Sequence, residues 1–278
     1  MADSDWTWKE RDGGSGRLLY EPGNWGDLLK NLWVFLVLQW LLEVRPGQDT
    51  SYSDPFAGAP AYPLTRNTVK RLAGTGIGKQ PVFAAFFERG LWPSAASLAR
   101  CLTRGVCQVY DQEAGRRDEW RSQAGFSLVE VADGWEWLAQ TPTGKGFWLV
   151  DPYDFLAVWE EWLPSLLTLA KHATVQLYVY NRSAGGGAQL ANYRRFRAAL
   201  EEGRDGLGYL RGRLASDAFL PRAHHEVFLL PAPGVVEAAA DRVLAGRLAE
   251  ATRVLSRAQE KMYQFETGGF TTGPVEGS

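Results

Sequence analysis

The fold of this 278-residue chain is decided by the stretch Gly146-Phe147-Trp148-Leu149-Val150-Asp151-Pro152-Tyr153. Four apolar residues end abruptly in a carboxylate, a rigid proline and an aromatic ring. A short apolar run bounded in this way predicts a buried strand. Parallel α/β sheets bind their ligands beyond the carboxyl ends of the strands. Asp151, Pro152 and Tyr153 are therefore candidate functional residues.

Further apolar runs on both sides of this segment predict a sheet of several strands. The predicted strands cover residues 50–53, 106–110, 126–131, 147–150, 175–180 and, as the last strand, 226–230. The predicted helices cover residues 26–44, 154–171, 192–202 and 235–264. This alternation is typical of the α/β class, in which a mostly parallel sheet carries helices on both faces.

The organisation along the chain is that of one domain with an insertion. Residues 1–16 and the tail 267–278 are polar and rich in glycine, which predicts a disordered N-terminal segment and a flexible tail. Residues 17–266 between them form a single predicted domain. No clear strand is found at about 64–104, where short helices are predicted, and this length exceeds an ordinary βα connection. We therefore expect a helical insertion there.

The composition limits the classes of function. The net charge is −2, whereas proteins that bind nucleic acids more often carry a basic excess, so the balance argues mildly against RNA. The cluster Tyr193-Arg194-Arg195-Phe196-Arg197 is either a local basic face or a solvated helix face. The spacing of Cys101 and Cys107 fits neither a redox motif nor a zinc site, which predicts free thiols in a reducing cytoplasm and no bound metal. The apolar run Leu32–Leu42 is too short to span a membrane and predicts a buried helix instead.

Three further carboxylates follow predicted strands. Asp54 opens the segment 54–62, whose small residues allow a ligand to approach the backbone; the alternative is a turn that is simply rich in small residues. Asp111 follows the next strand, where an acid commonly binds ribose hydroxyls, although a helix-start carboxylate is equally compatible. Asp133 lies in Ala132-Asp133-Gly134, where its carboxylate could face the exocyclic amine of an adenine ring.

The order and spacing of these segments resemble a known family. Over about 20–235 the chain resembles the bacterial 23S ribosomal RNA adenine-N6 methyltransferases of the large-subunit methyltransferase J type. The family's Ala-Gly-Asn-x-x-Asp-x-x-Lys turn corresponds to Pro22-Gly23-Asn24-Trp25-Gly26-Asp27-Leu28-Leu29-Lys30, and its Asp-x-x-Ala-Gly-Ala-Gly-x-Tyr loop to 54–62. Its Tyr-Pro-Gly-Ser-Pro segment is approximated by 91–95. Its Asp-Pro-Pro-Tyr loop corresponds to 151–153, with one proline fewer.

The resemblance implies a Rossmann-like class I methyltransferase fold with S-adenosylmethionine as cofactor. It implies an enzyme that methylates an adenine amine in RNA, as part of rRNA processing. Asp151 would accept a hydrogen bond from the target amine, Tyr153 would stack on a base, and Pro152 would complete the catalytic loop. The residues around the cofactor would be Gly23, Asn24, Asp27, Lys30, Asp54, Ala57, Gly58, Asp111 and Asp133.

The chain also departs from the family pattern, chiefly at the substrate end. One proline of the catalytic loop is missing, Pro60 replaces a glycine, and the family's early histidines are absent, with Trp25 and Asn31 in the corresponding region. Two alternatives therefore remain open. The chain could be a binding or assembly protein that keeps the methyltransferase fold without activity. It could also be a methyltransferase that acts on a small molecule or a protein.

Overall fold

A central sheet of eight strands organises the chain in the computed structural model. The structure describes residues 23–46, 48–73, 75–153, 155–181, 187–203, 208–215, 223–233, 238–259 and 264–268. The predicted disordered segment 1–16 lies outside these residues, as does the tail beyond Gly268. Thr267 and Gly268, which the prediction assigned to the tail, lie in a strand.

The strands and helices alternate along most of the chain. The strands are β1 Tyr52–Asp54, β2 Ala61–Pro63, β3 Leu91–Pro93, β4 Cys107–Val109, β5 Phe126–Leu128, β6 Phe147–Val150, β7 Thr174–Asn181, β8 Tyr209–Ala215, β9 His224–Leu230 and β10 Gln264–Gly268. The helices are α1 Trp25–Val44, α2 Arg66–Ala73, α3 Pro81–Phe87, α4 Ala95–Leu102, α5 Ala114–Ser122, α6 Gly134–Gln140, α7 Phe155–Ala170, α8 Gly187–Gly203 and α9 Ala238–Ala258, with a 3₁₀ turn at Ile77–Lys79.

The strand order of the main sheet is β10-β8-β9-β7-β6-β1-β4-β5. The five strands β5, β4, β1, β6 and β7 are parallel, and the remaining neighbours pair antiparallel. From β1 the chain first builds outwards to β4 and β5 and then returns to place β6 on the other side of β1. The predicted α/β, Rossmann-like fold is confirmed.

The side chains of the strands alternate between two cores, one on each face of the sheet. Phe147 and Leu149 belong to the core that contains α1, whereas Trp148 and Val150 belong to the core that contains α7. Because successive strand residues point to opposite faces, the residue that follows Val150 returns to the α1 face. This places Asp151 towards α1.

Helix α1 is buried along most of its length, as its apolar run predicts. Its start is capped by Asn24, whose side chain accepts hydrogen bonds from the backbone N–H groups of Gly26 and Asp27 at 2.7 and 3.1 Å. The helix packs against α4 and α9 and lies on the sheet. Among the described residues, no helix combines the length and apolarity needed to cross a membrane.

Several boundaries differ from the sequence predictions. The segment 226–230 was predicted as the last strand, but β10 follows it, and the final helix ends at Ala258 rather than near 264. Strand β8 was not predicted, because it carries charged residues: Arg211 is buried on it against Glu226 of β9, with Nε and Oε2 2.8 Å apart. The insertion at 64–104 is mostly helical as expected, but it also contains β3, which is three residues long and pairs with β2 alone.

The loops that follow β1 and β5 touch each other at Gly134. A Cβ atom at this position would lie 2.1 Å from the carbonyl oxygen of Pro55 and 2.8 Å from the ring of Phe56. The ring of Trp135 also packs on Phe56, with centroids 4.8 Å apart. The contact holds together two of the loops at the carboxyl edge of the sheet.

Substitution Gly134→Ala should destabilise the protein by about 1–3 kcal/mol, because the added methyl group meets backbone that cannot move aside cheaply. Gly115→Ala is the matched control, since a Cβ there has no neighbour within 4 Å. Chemical denaturation of both variants measures the effect. Equal stability of the two variants would contradict the close approach.

Candidate functional site

A recess opens at the carboxyl edge of the parallel strands, where β1 and β6 lie side by side. It holds about 20 Å³ of space for water-sized molecules. Five of the predicted site residues line it: Asp27, Lys30, Asp54, Ala57 and Asp151. The other lining residues are Asn31, Phe56, Tyr62, Trp92, Pro93, Ser94, Ala95 and Leu149.

The ammonium group of Lys30 lies at the centre of the charged groups. It forms an ion pair with Asp151 and a second one with Asp27, at 3.2 Å. It also lies 5.6 Å from the centroid of the Tyr178 ring. Burial alone would lower the pKa of Lys30, but the charges of Asp151 and Asp27 outweigh it and hold the pKa well above its usual value. Lys30 is therefore a fixed cation between α1 and the end of β6.

Asp54 is the last residue of β1 and is almost fully buried. Its carboxylate accepts hydrogen bonds from the backbone N–H of Phe56 at 3.1 Å and from the hydroxyl of Tyr52 at 3.0 Å. Burial raises the pKa of Asp54 to about 7, and the nearby charge of Asp151 adds to that rise. Burial likewise raises the pKa of Asp151 to about 6, against the opposing effect of Lys30.

The recess therefore holds more acidic than basic groups. Among the described residues, Asp27, Asp54 and Asp151 line it together with one cation, Lys30. Carboxylates that share one ammonium group in a buried space favour a ligand that brings positive charge or N–H donors.

Gly23 and Asn24 shape the start of α1 rather than the wall of the recess. The backbone N–H of Gly23 donates to Asp27 at 2.8 Å, which holds this carboxylate in place. Gly23 has a φ of 74°, and a Cβ there would lie 2.5 Å from the side chain of Thr68, so only glycine fits. Neither Gly23 nor Asn24 is among the residues that line the recess.

The loop from Ala57 to Tyr62 is held by its own hydrogen bonds. Gly58 has a φ of 64°, and its carbonyl oxygen accepts from the indole of Trp120 at 2.7 Å. The hydroxyl of Tyr62 accepts from the backbone N–H of Ala59 at 3.0 Å. Pro60, which replaces a family glycine, contributes its carbonyl oxygen as acceptor for the hydroxyl of Ser97 at 2.6 Å. The loop thus accommodates the proline and docks onto α4.

Asp111 and Asp133 are not brought to the recess. The carboxylate of Asp111 accepts from the backbone N–H of Glu113 at 2.7 Å and lies 3.5 Å from Arg116. Asp133 is exposed and caps α6 by accepting from the backbone N–H of Glu136 at 2.7 Å. Their contact with a ribose or an adenine ring stays a prediction.

The two ends of the predicted catalytic loop face different surroundings. The side chain of Asp151 lies in the recess, whereas Tyr153 is 66% exposed. Tyr153 is the one aromatic residue among the large hydrophobic side chains that are exposed in the described ranges. Pro152 lies between them and directly follows Asp151.

Asn31 also lines the recess, but the sequence did not identify it as a candidate ligand. Its Nδ2 atom donates to the carbonyl oxygen of Pro93 at 3.0 Å, which fixes the amide. Its Oδ1 atom is buried and accepts no hydrogen bond from the described residues. The available signal was a polar residue next to Lys30 inside an otherwise apolar helix.

Several solved structures are similar to this chain. The Legionella pneumophila protein LPL1258, of the DUF519 family model, shares the fold with a TM-score of 0.69 and 10% sequence identity, over 91% of this chain and 99% of that chain. Human methyltransferase-like protein 13, in complex with SAH, gives a TM-score of 0.44 and 12% identity, over 88% and 97%. An rRNA methylase from Streptococcus thermophilus gives 0.37 and 10%, over 71% and 95%. No protein-family model and no curated protein matches the chain.

The strand order and strand directions define the fold class of the protein. The parallel strands with the reversal at β1, together with the antiparallel β9 next to β7, form a Rossmann-like α/β fold. At 10% identity the likeness to the Legionella protein concerns the fold alone.

The raised pKa of Asp54 predicts a specific pH dependence of stability. Below pH about 4 the carboxyl group of Asp54 is protonated in the folded and in the unfolded protein. As the pH rises towards the folded pKa of about 7, the unfolded chain releases the proton first, which favours unfolding. The free energy of unfolding of the wild type should therefore fall across this window relative to that of Asp54→Asn.

Thermal unfolding at a series of pH values measures this difference. Asp118→Asn is the control, because it removes a carboxylate whose side chain is 73% exposed. If the difference in the free energy of unfolding between the wild type and Asp54→Asn stays constant from pH about 4 to about 8, folding does not raise the pKa of Asp54.

Proposed function

We propose that the protein is an S-adenosylmethionine-dependent methyltransferase, and that its substrate is an exocyclic amine of adenine in RNA. One observation carries the proposal: Asp54 and Asp151 line the same recess, at the point where the strand order reverses. In open α/β sheets this reversal is where ligands bind.

The residues of the recess fit this cofactor. The methionine end of S-adenosylmethionine carries an ammonium and a sulfonium group, and the recess offers the carboxylates of Asp27 and Asp54 to such cations. The buried Oδ1 atom of Asn31 is an acceptor without a protein partner in the described residues. Lys30 offers the one cation of the recess to the cofactor's carboxylate.

The chemistry asked of the protein is positioning rather than strong base catalysis. The bound cofactor supplies a methyl group that is activated by the sulfonium charge. Asp151 accepts a hydrogen bond from one N–H of the target amine and so aims the nitrogen lone pair at that methyl group. Lys30 holds the Asp151 carboxylate in one orientation through their ion pair. The methylated nitrogen becomes acidic as it gains charge, so its proton can leave without a strong base.

Adenine in RNA is favoured by the residues next to Asp151. Tyr153 follows two positions later and exposes its ring, and an exposed aromatic face can stack on an unpaired base. A base inside a duplex would first have to be flipped out of the stack. The resemblance of Asp151-Pro152-Tyr153 to the Asp-Pro-Pro-Tyr loop supports the same substrate class.

A second candidate is a binding protein that keeps the fold without the activity. The ion pair between Lys30 and Asp151 favours it, because the carboxylate is already engaged in the free protein. The two functions differ in one observable. Transfer of labelled methyl groups from the cofactor to total RNA, DNA, protein or metabolite fractions occurs only for the enzyme.

Cofactor binding gives the first test. Isothermal titration calorimetry with S-adenosylhomocysteine should show binding with a dissociation constant in the micromolar range, about −8 kcal/mol. The absence of binding at millimolar ligand would overturn the proposed function.

The role of Asp151 gives the second test. Asp151→Ala should lower methyl transfer to RNA by about 10²–10³-fold, because the amine loses its acceptor. The affinity for S-adenosylhomocysteine, measured by calorimetry, should stay within about threefold, since Lys30 keeps its ion pair with Asp27. Unchanged transfer in this variant would remove Asp151 from the mechanism.

A further inference from the structure

The weakly acidic net charge conceals a strong segregation of charge. Between residues 64 and 104 the chain carries seven Lys or Arg residues and one acid, Glu88. The remainder of the chain carries 23 Lys or Arg residues against 31 Asp or Glu residues. The insertion is therefore strongly basic, while the rest of the molecule is acidic.

The insertion is attached to the wall of the recess. Strand β2, which precedes it, pairs antiparallel with β3 inside it, with Tyr62 opposite Trp92, and both of these side chains line the recess. Helix α2 also reaches the start of α1, where Arg71 donates to the carbonyl oxygen of Gly23 at 3.3 Å. The basic segment is thus attached directly beside the proposed active site.

Besides Arg66 and Arg104, three further basic side chains of the insertion are exposed to solvent. They are Lys70 on α2, Lys79 on the 3₁₀ turn and Arg89 in the turn before β3. None of the three forms an ion pair with a described residue. Elsewhere on the surface some arginines pair with acids, as Arg121 does with Asp118 and Glu130 and as Arg247 does with Glu43. The insertion consequently presents cations that the protein itself leaves uncompensated.

We propose that the exposed basic side chains of the insertion, Lys70, Lys79 and Arg89, form a docking surface for the phosphate backbone of RNA. The inference rests on the proposed function and names the part of the molecule that holds the substrate. Contacts to phosphates supply affinity and register without reading the sequence. The surface would hold the strand next to the recess while Tyr153 receives a base. The acidic net charge of the whole protein does not oppose this contact, because phosphate binding depends on the charge near the contact.

The test compares two triple variants with the same change in charge. Lys70→Gln/Lys79→Gln/Arg89→Gln alters the proposed surface. The control, Lys145→Gln/Lys171→Gln/Arg242→Gln, removes two lysines and one exposed arginine that lie outside the insertion, before β6, before β7 and on α9. Binding of a fluorescein-labelled single-stranded RNA is followed by anisotropy at several salt concentrations.

The variant of the insertion should bind the RNA about tenfold or more weakly at low salt. The slope of log affinity against log salt should fall by about 2, because each lost phosphate contact on a single strand removes about 0.7. The control variant should stay within about twofold of the wild type. If the thermal midpoint of the triple variant is lower than that of the wild type, the three single variants are measured instead.

Three outcomes would overturn the docking surface. They are no binding of RNA by the wild type, equal weakening in both triple variants, and displacement of the RNA by polyglutamate as efficiently as by unlabelled RNA, which would indicate an acidic protein partner. Calorimetry with S-adenosylhomocysteine separates this from the proposed function, because neither triple variant alters the recess. Intact cofactor binding together with failed RNA docking would overturn only the docking surface.

Discussion

The ion pairs of Lys30 are the interaction on which the arrangement of the site depends. Lys30 connects α1 to the end of β6 through Asp151 and to its own helix through Asp27. Its carbonyl oxygen also accepts from the side chain of Gln176 on β7, at 3.1 Å. A buried charge is costly unless it is paired, so the lysine and its carboxylates are held together as one unit. Helix α1 is thereby fixed over the carboxyl ends of two adjacent parallel strands.

The pleat of the strands explains why these carboxylates meet. Tyr52 and Asp54 on β1 share one face, and Phe147 and Leu149 on β6 share the same face. The register pairs Tyr52 with Phe147, so the ends of both strands reach the same edge. The topology then brings together residues that lie almost a hundred positions apart. Neither the segment that ends in Asp54 nor the segment that ends in Asp151 would form the recess by itself.

The sequence predicted the parallel half of the sheet well, because buried parallel strands are short apolar runs with a clear end. It also predicted the residues that converge on the recess, since Asp54 and Asp151 directly follow such runs. It failed for β8, whose Arg211 is matched to Glu226 on the next strand. That pairing is not visible from either segment by itself. Asn31 was missed for a similar reason, because only the packed structure shows a buried acceptor without a partner.

The segregation of charge makes the molecule electrically polar. The basic insertion attracts polyanions, and the acidic remainder of the molecule repels them. A negatively charged macromolecule that approaches would be turned so that it meets the insertion first, which raises the rate of productive encounters. Because the field extends only about one Debye length, roughly 8 Å at physiological salt, this orientation acts in the last moments before contact. For the proposed RNA substrate, the insertion would place this first contact next to the proposed active site.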